Sequence, residues 1–203
     1  MPTRPSFPVA AALLLLAAAA APASAFAQRA TDATPLPFHA GQWGISANVS
    51  GAGNGLGVLR FTAPNRALVL DLGFAITRQA QTVPAGPFSP EFSQHSTGGL
   101  ATLSLGLRHF RPLSSAVAFF NTLGLDGNYQ GGGGGSPHLW GAGVFGDLGA
   151  QYMLDPRFSL GVATGLRVGY GEYRYPVGNG NVARSTTVSL HSTPARFIGA
   201  VYF

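Results

Sequence analysis

The sequence predicts an all-β protein: eight antiparallel strands closed into an up-and-down barrel that crosses a membrane. Three observations lead there. The chain opens with a secretory leader, its composition is poor in charge without a long apolar run behind that leader, and its strands alternate at period two with connections that alternate in length.

The leader comes first. Arg4 gives a short basic start, and residues 9–21 are an unbroken run of Val, Ala and Leu. That run falls short of the roughly 20 residues a spanning helix needs. Ala23-Ser24-Ala25 and Ala25-Phe26-Ala27 then offer two A-x-A cleavage sites. Residues 1–27 therefore read as a signal peptide cleaved after 25 or 27, residues 28–41 as a periplasmic N-terminal segment, and residues 42–203 as the barrel.

Composition narrows the class. Charged residues make up 9% of the chain against 46% hydrophobic, where a soluble domain carries about 25% charged. A disordered chain would hold fewer aromatics and more charge. With no apolar segment after the leader long enough for a helical span, the membrane solution left is apolar residues at every second position of tilted strands. All 12 basic residues are Arg and none forms a stripe, which gives no support to nucleic-acid binding. The chain has no Cys, which excludes disulfides and thiolate metal sites despite export.

The strands follow in order. Residues 42–50 alternate Trp43, Ile45, Ala47 and Val49 with small or polar partners. Residues 57–63 put Leu59 and Phe61 on one face and Arg60 and Thr62 on the other, with the arginine face taken as inward. Residues 67–77 set Leu68, Leu70, Leu72, Phe74 and Ile76 against Val69, Asp71, Gly73 and Ala75. Residues 98–110 oppose Leu103, Leu105 and Leu107 to Thr102, Ser104, Gly106 and Arg108. In the second half, residues 116–128 turn Val117, Phe119, Leu123 and Leu125 outward. Residues 139–152 do so with Trp140, Ala142, Val144, Leu148 and Tyr152. Residues 158–170 show Phe158, Leu160, Val162, Leu166, Val168 and Tyr170. Residues 195–203 end on Phe197, Gly199, Val201 and Phe203.

Seven connections join these strands. The tight ones are 64–66, 111–115 and 153–157, each with a turn former. The longer ones are 51–56, 78–97, 130–138 and 171–194. Short turns on one side and longer loops on the other match periplasmic turns and extracellular loops. Two places strain the pattern. Asn121 falls on the lipid face, which a bulge at Phe119-Phe120 or another register would explain. Pro194 cannot donate to a ladder, and the apolar phase slips by one between Leu190 and Phe197, as a β-bulge at Pro194 would produce.

These strands, turns and the terminal Phe203 make the mature chain resemble the small outer-membrane β-barrel proteins of OmpA/OmpX type. The resemblance implies a place in the bacterial outer membrane, contact with its lipid and lipopolysaccharide, and insertion by the barrel-assembly machinery. It also implies that Phe197, Val201 and Phe203 of the last strand serve as an assembly signal. Gly199 sits one place later than that family's usual glycine. A monomer is expected, with no cofactor and no nucleic-acid partner.

Seven charged side chains are expected in the lumen: Arg60, Asp71, Arg108, Asp126, Asp147, Arg167 and Arg196. Arg60 and Asp71 flank the turn at Asn65-Arg66 almost symmetrically and are expected to pair. Eight strands leave room for little but side chains, and buried charges need partners. The expectation is a filled lumen and a structural or surface-interaction role, with a narrow channel for ions or small solutes as the rival. The inward glycines 141, 143, 149, 161, 165 and 169 suit close packing in a narrow barrel.

Catalysis finds no constellation. Lipid A deacylases, enzymes on this kind of fold, use a His and a Ser two positions apart with a Glu nearby. Here His95-Ser96 and His191-Ser192 are adjacent and so face opposite sides of a strand. No enzyme is expected. His95, His138 and His191 fall in or beside outer segments, but loop histidines are more often plain polar residues, and no metal site is assigned. The loop at 131–137, GGGGGSP, lacks the Lys and the following helix that a phosphate cradle needs.

Overall fold

The computed structural model describes residues 36–50, 53–83, 92–132, 138–177 and 181–203. The leader at 1–27, the segment 28–35 and most of the glycine-rich loop lie outside the described residues. The strands are β1 Trp43–Ser50, β2 Gly53–Ala63, β3 Arg66–Val83, β4 Phe92–Pro112, β5 Val117–Gly132, β6 His138–Asp155, β7 Phe158–Val177 and β8 Asn181–Tyr202. Each pairs antiparallel with the next, and β8 returns to β1 to close the barrel. Closure leaves no edge within the membrane-spanning part, which satisfies the backbone where no water can.

Period two decides what faces where. Leu70, Leu105, Leu125 and Val162 are exposed on the outer surface, while Val69, Ser104, Gly106 and Ala163 on the same strands are turned in. Two aromatic girdles bound the apolar band. Tyr129, Trp140 and Tyr170 stand exposed toward the long-loop end, and Trp43, Tyr152 and Phe203 toward the turn end. On β6, residues 140 and 152 are twelve apart, roughly 30 Å along the membrane normal at ordinary rise and tilt. That brackets an apolar band of about 25 Å.

The tight turns form for local reasons. The Asp155 side chain accepts a hydrogen bond from Arg157 N at 2.6 Å, and Ser114 Oγ accepts one from Val117 N at 3.1 Å. The long connections differ from expectation. Most of 78–97 and 171–194 is strand: β3 and β4 stay paired out to Val83 and Phe92, and β7 and β8 out to Val177 and Asn181. Thr and Val recur there, as in Thr186, Thr187 and Val188, and such residues prolong a ladder once the barrel has set its register. The β1–β2 connection is also shorter than expected, since Ser50 already pairs with Gly53; Gly53 takes a φ of 147° there, open to glycine at little cost.

The register settles the two strained places. β8 carries one extra residue opposite β7, where Ala163 pairs with Arg196 and Gly165 with Thr193. This places a bulge at Pro194-Ala195, held by Thr164 Oγ1 donating to Thr193 O at 2.9 Å. No bulge occurs at Phe119-Phe120, where pairing with β6 is continuous. Asn121 faces outward five residues into β5, beside His109 near the turn end, so its amide lies closer to water than to the midplane.

Candidate functional site

The barrel interior has two storeys. The lower one, toward the turns, is an apolar floor. Leu59, Phe61, Val69, Phe110, Phe120 and Tyr202 are almost wholly buried in it. Phe38, from the segment preceding β1, enters the floor. Its ring stacks on Phe61 at 4.4 Å and meets Tyr202 at 4.9 Å and Phe110 at 5.1 Å. The segment is tied down by Gly41 N donating to Phe61 O and Phe61 N donating to Gln42 O, both at 2.8 Å. Gly41, at φ 86°, makes the bend from plug to strand in a conformation glycine accepts. Beside the rings, Gln151 Nε2 donates to Ser159 Oγ and Tyr202 Oη, each at 3.0 Å. The amide nitrogen and both hydroxyls are thus satisfied inside an otherwise apolar layer.

This floor corrects the assignment of Arg60. Leu59 and Phe61 point into the lumen and Arg60 points out. Arg60 pairs in register with Leu68, and Asp71 with Gly57, so the expected Arg60–Asp71 pair does not form. The lumen near the turns is apolar, so it takes the large apolar residues. The outward Arg60 reaches the interface instead, its guanidinium 5.2 Å from the Trp43 ring centre.

The upper storey holds the other six charges. Arg167 Nη1 bonds Asp126 Oδ2 at 2.7 Å, and Arg196 Nη2 bonds Asp147 Oδ2 at 2.5 Å. Arg108 is fully enclosed, donating from Nε to Thr122 Oγ1 at 3.0 Å and lying 4.4 Å from the Phe120 ring centre. Asp71 makes no ion pair among the described residues. Each lumen aspartate lies opposite a glycine on a neighbouring strand: Asp71 opposite Gly57, Asp126 opposite Gly143, Asp147 opposite Gly165. A Cβ at any of the three would crowd the facing carboxylate oxygen. Those glycines make room for carboxylates, a sharper role than close packing.

Above the floor lies a cavity of about 270 Å³. Its lining includes Ser50, Gly53 and Asn54 at the tip of the β1–β2 hairpin, so it reaches the barrel rim there. That is where the wall is lowest: β1 and β2 have 8 and 11 residues, their neighbours β8 and β3 have 22 and 18. Above the rim, the β7–β8 arm carries Glu172, bound to Arg174 at 2.5 Å and to Arg184 at 3.4 Å. The Arg174 hydrogen bond is the main cause holding the Glu172 carboxyl below its ordinary range. Of the histidines, His191 lines the cavity and His138 Nδ1 lies 3.1 Å from Tyr129 Oη. Among the described residues no three His, Cys, Asp or Glu side chains converge as a metal site.

Sequence reasoning missed the floor. Its signal was the inward phase of Phe61, Phe110 and Phe120 near the short turns; for Phe38, outside any strand, the sequence held no periodicity to read.

No family profile and no curated protein matches this chain. Solved structures do. OprG from Pseudomonas aeruginosa superposes with a TM-score of 0.56 at 15% identity, over 83% of this chain and 99% of that one. A major outer membrane protein from Thermus thermophilus gives 0.50 at 19%, over 81% and 100%. The outer membrane protein AlkL gives 0.51 at 14%, over 82% and 92%. These matches carry the general likeness to small outer-membrane barrels, not the narrower one to the OmpA/OmpX type. By its fold this chain is an eight-stranded antiparallel β-barrel similar to those of small outer-membrane proteins.

Proposed function

We propose that this protein is a monomeric outer-membrane barrel with a surface-interaction role, closed toward the periplasm and presenting a vestibule and paired arms to the exterior. One observation supports the reading: the Phe38 ring packs among Phe61, Phe110 and Tyr202 at the turn end of the lumen, as a closed floor would require. The arms at β3–β4 and β7–β8, with Arg174 and Arg184 on the latter, stand where lipopolysaccharide and external partners are met. Phe197, Val201 and Phe203, exposed to lipid on the closing strand with Gly199 between them, suit recognition by the assembly machinery.

Conductance in planar bilayers tests the closed floor. The wild-type protein is expected to stay silent, and Phe38→Ala combined with Phe110→Ala to produce steady openings. Steady ohmic conductance of the wild type would replace this reading with that of a narrow channel.

A further inference from the structure

We infer that the outer wall of β3–β5, at the turn end, is a docking surface for an anionic phospholipid whose phosphate is held between Arg66 and Arg111. The inference goes beyond the surface-interaction reading and holds whether or not the floor is closed.

Register assembles the patch. Arg66, at the start of β3, pairs with His109 on β4, and His109 pairs with Asn121 on β5. Residues directly opposite on paired strands share a face. Arg111, two residues beyond His109, returns to that same face. Arg66, Arg111 and Asn121 are exposed and His109 is half-buried. Both arginines lie close enough to His109 to act on it electrostatically. Trp43 on β1 and Tyr152 on β6 stand exposed on either side and mark the edge of the apolar band, so the patch sits at the level of lipid headgroups.

Charge and unmet donors select the ligand. Among the described residues, the side chains of Arg66, Arg111 and Asn121 make no hydrogen bond or ion pair. The two acids described on β3–β5, Asp71 and Asp126, both line the lumen. At the turn end stands Asp155, two strands away on the β6–β7 turn, with its carboxylate on Arg157 N. Two guanidiniums on one face without a counter-ion repel, and an anion between them reverses the sign. The planar fork of arginine matches two oxygens of a phosphate, while the Asn121 amide and a ring N–H of His109 add neutral donors. The wall above favours a lipid over a free phosphate. Leu68, Leu107 and Leu123 form one exposed row beside the patch, and Leu70, Leu105 and Leu125 the next toward the midplane. A headgroup seated on the arginines lays its acyl chains along these leucines.

Native mass spectrometry of the folded full-length barrel tests the inference, with phosphatidylglycerol and phosphatidylcholine of identical chains as probes. A saturable adduct of one phosphatidylglycerol is expected, with far less phosphatidylcholine. Arg66→Gln and Arg111→Gln should each lower that adduct's affinity roughly fivefold, the factor equal to about 1 kcal/mol for one basic group at a membrane surface. Arg157→Gln, on the neighbouring turn, removes the same charge and should leave the adduct intact. The heat-modifiable gel band checks that each variant is folded. Equal adducts of the two lipids would overturn the inference, as would full affinity in the Arg66→Gln, Arg111→Gln double variant. An Arg157→Gln loss as large as the others would reduce the effect to net charge and would also overturn it. So would displacement of the adduct by glycerol phosphate at equal concentration, which would make the ligand a free phosphate, or preferential binding of lipid A that the same two variants abolish.

Discussion

Aspartate and glycine form working pairs across the lumen. Asp147 sits over Gly165 and holds Arg196, so carboxylate, guanidinium and missing side chain are one unit. Removing one partner strands the other charge in a buried place, a loss of about 3–5 kcal/mol. Asp147→Ala is therefore expected to destabilise strongly, and the double change with Arg196→Ala to cost less than the two single costs summed. Urea unfolding from vesicles measures the cycle; additive single costs would show that the pair is not coupled. Gly165→Ala attacks the same unit by volume. The new methyl would press on Asp147 Oδ1 and on the Gly146 carbonyl, at roughly 1–3 kcal/mol.

Strands and arms respond to different solvents. Leu70 lies on the lipid face between Val58 and Leu105, so Leu70→Arg is expected to cost about 2–4 kcal/mol at the midplane. Ala75→Ser, on the lumen side of the same strand, should cost far less, and equal tolerance in the same unfolding assay would mean a wrong register. The β7–β8 arm stands in water and depends on Glu172 instead. Its carboxyl titrates below the ordinary 4.5 when the arm is ordered, so its contribution is complete above that value. It is lost as the pH falls through the lowered native value. Amide exchange across Glu172, Arg174 and Arg184 should accelerate at such acid pH while the barrel strands stay protected. Unchanged protection in the arm would remove the carboxylate from its support.

At the scale of the whole molecule, closure dominates. Every strand has two partners within the membrane, so unfolding has no free edge at which to begin. Folded protein should therefore run as a compact band on gels until boiled and show a β-rich spectrum in detergent. A mainly helical spectrum would contradict the fold. On the proposed reading the floor seals the turn end of this closed body, while the cavity reaches the rim on the side of the low β1–β2 wall.

Much of this was legible in the sequence because a barrel is written at period two. Leu68 to Ile76 against Val69 to Ala75 fixed two faces, the turn formers at Asn65 and Asp155 fixed the short ends, and the phase slip at Pro194 located a bulge. Inward charges at Asp71, Arg108, Asp126, Asp147, Arg167 and Arg196 followed from the same parity. Parity alone does not say which face of a strand is the lumen when both carry large residues, and so Arg60 was placed inside where Leu59 and Phe61 belong. Nor does it say which charge meets which, since Arg196 and Asp147 are brought together only by the register of β8 on β7 and of β7 on β6. The plug came from the tertiary structure entirely. Phe38 belongs to no strand, and its place is set by the shape of a space that exists only after eight strands have closed around it.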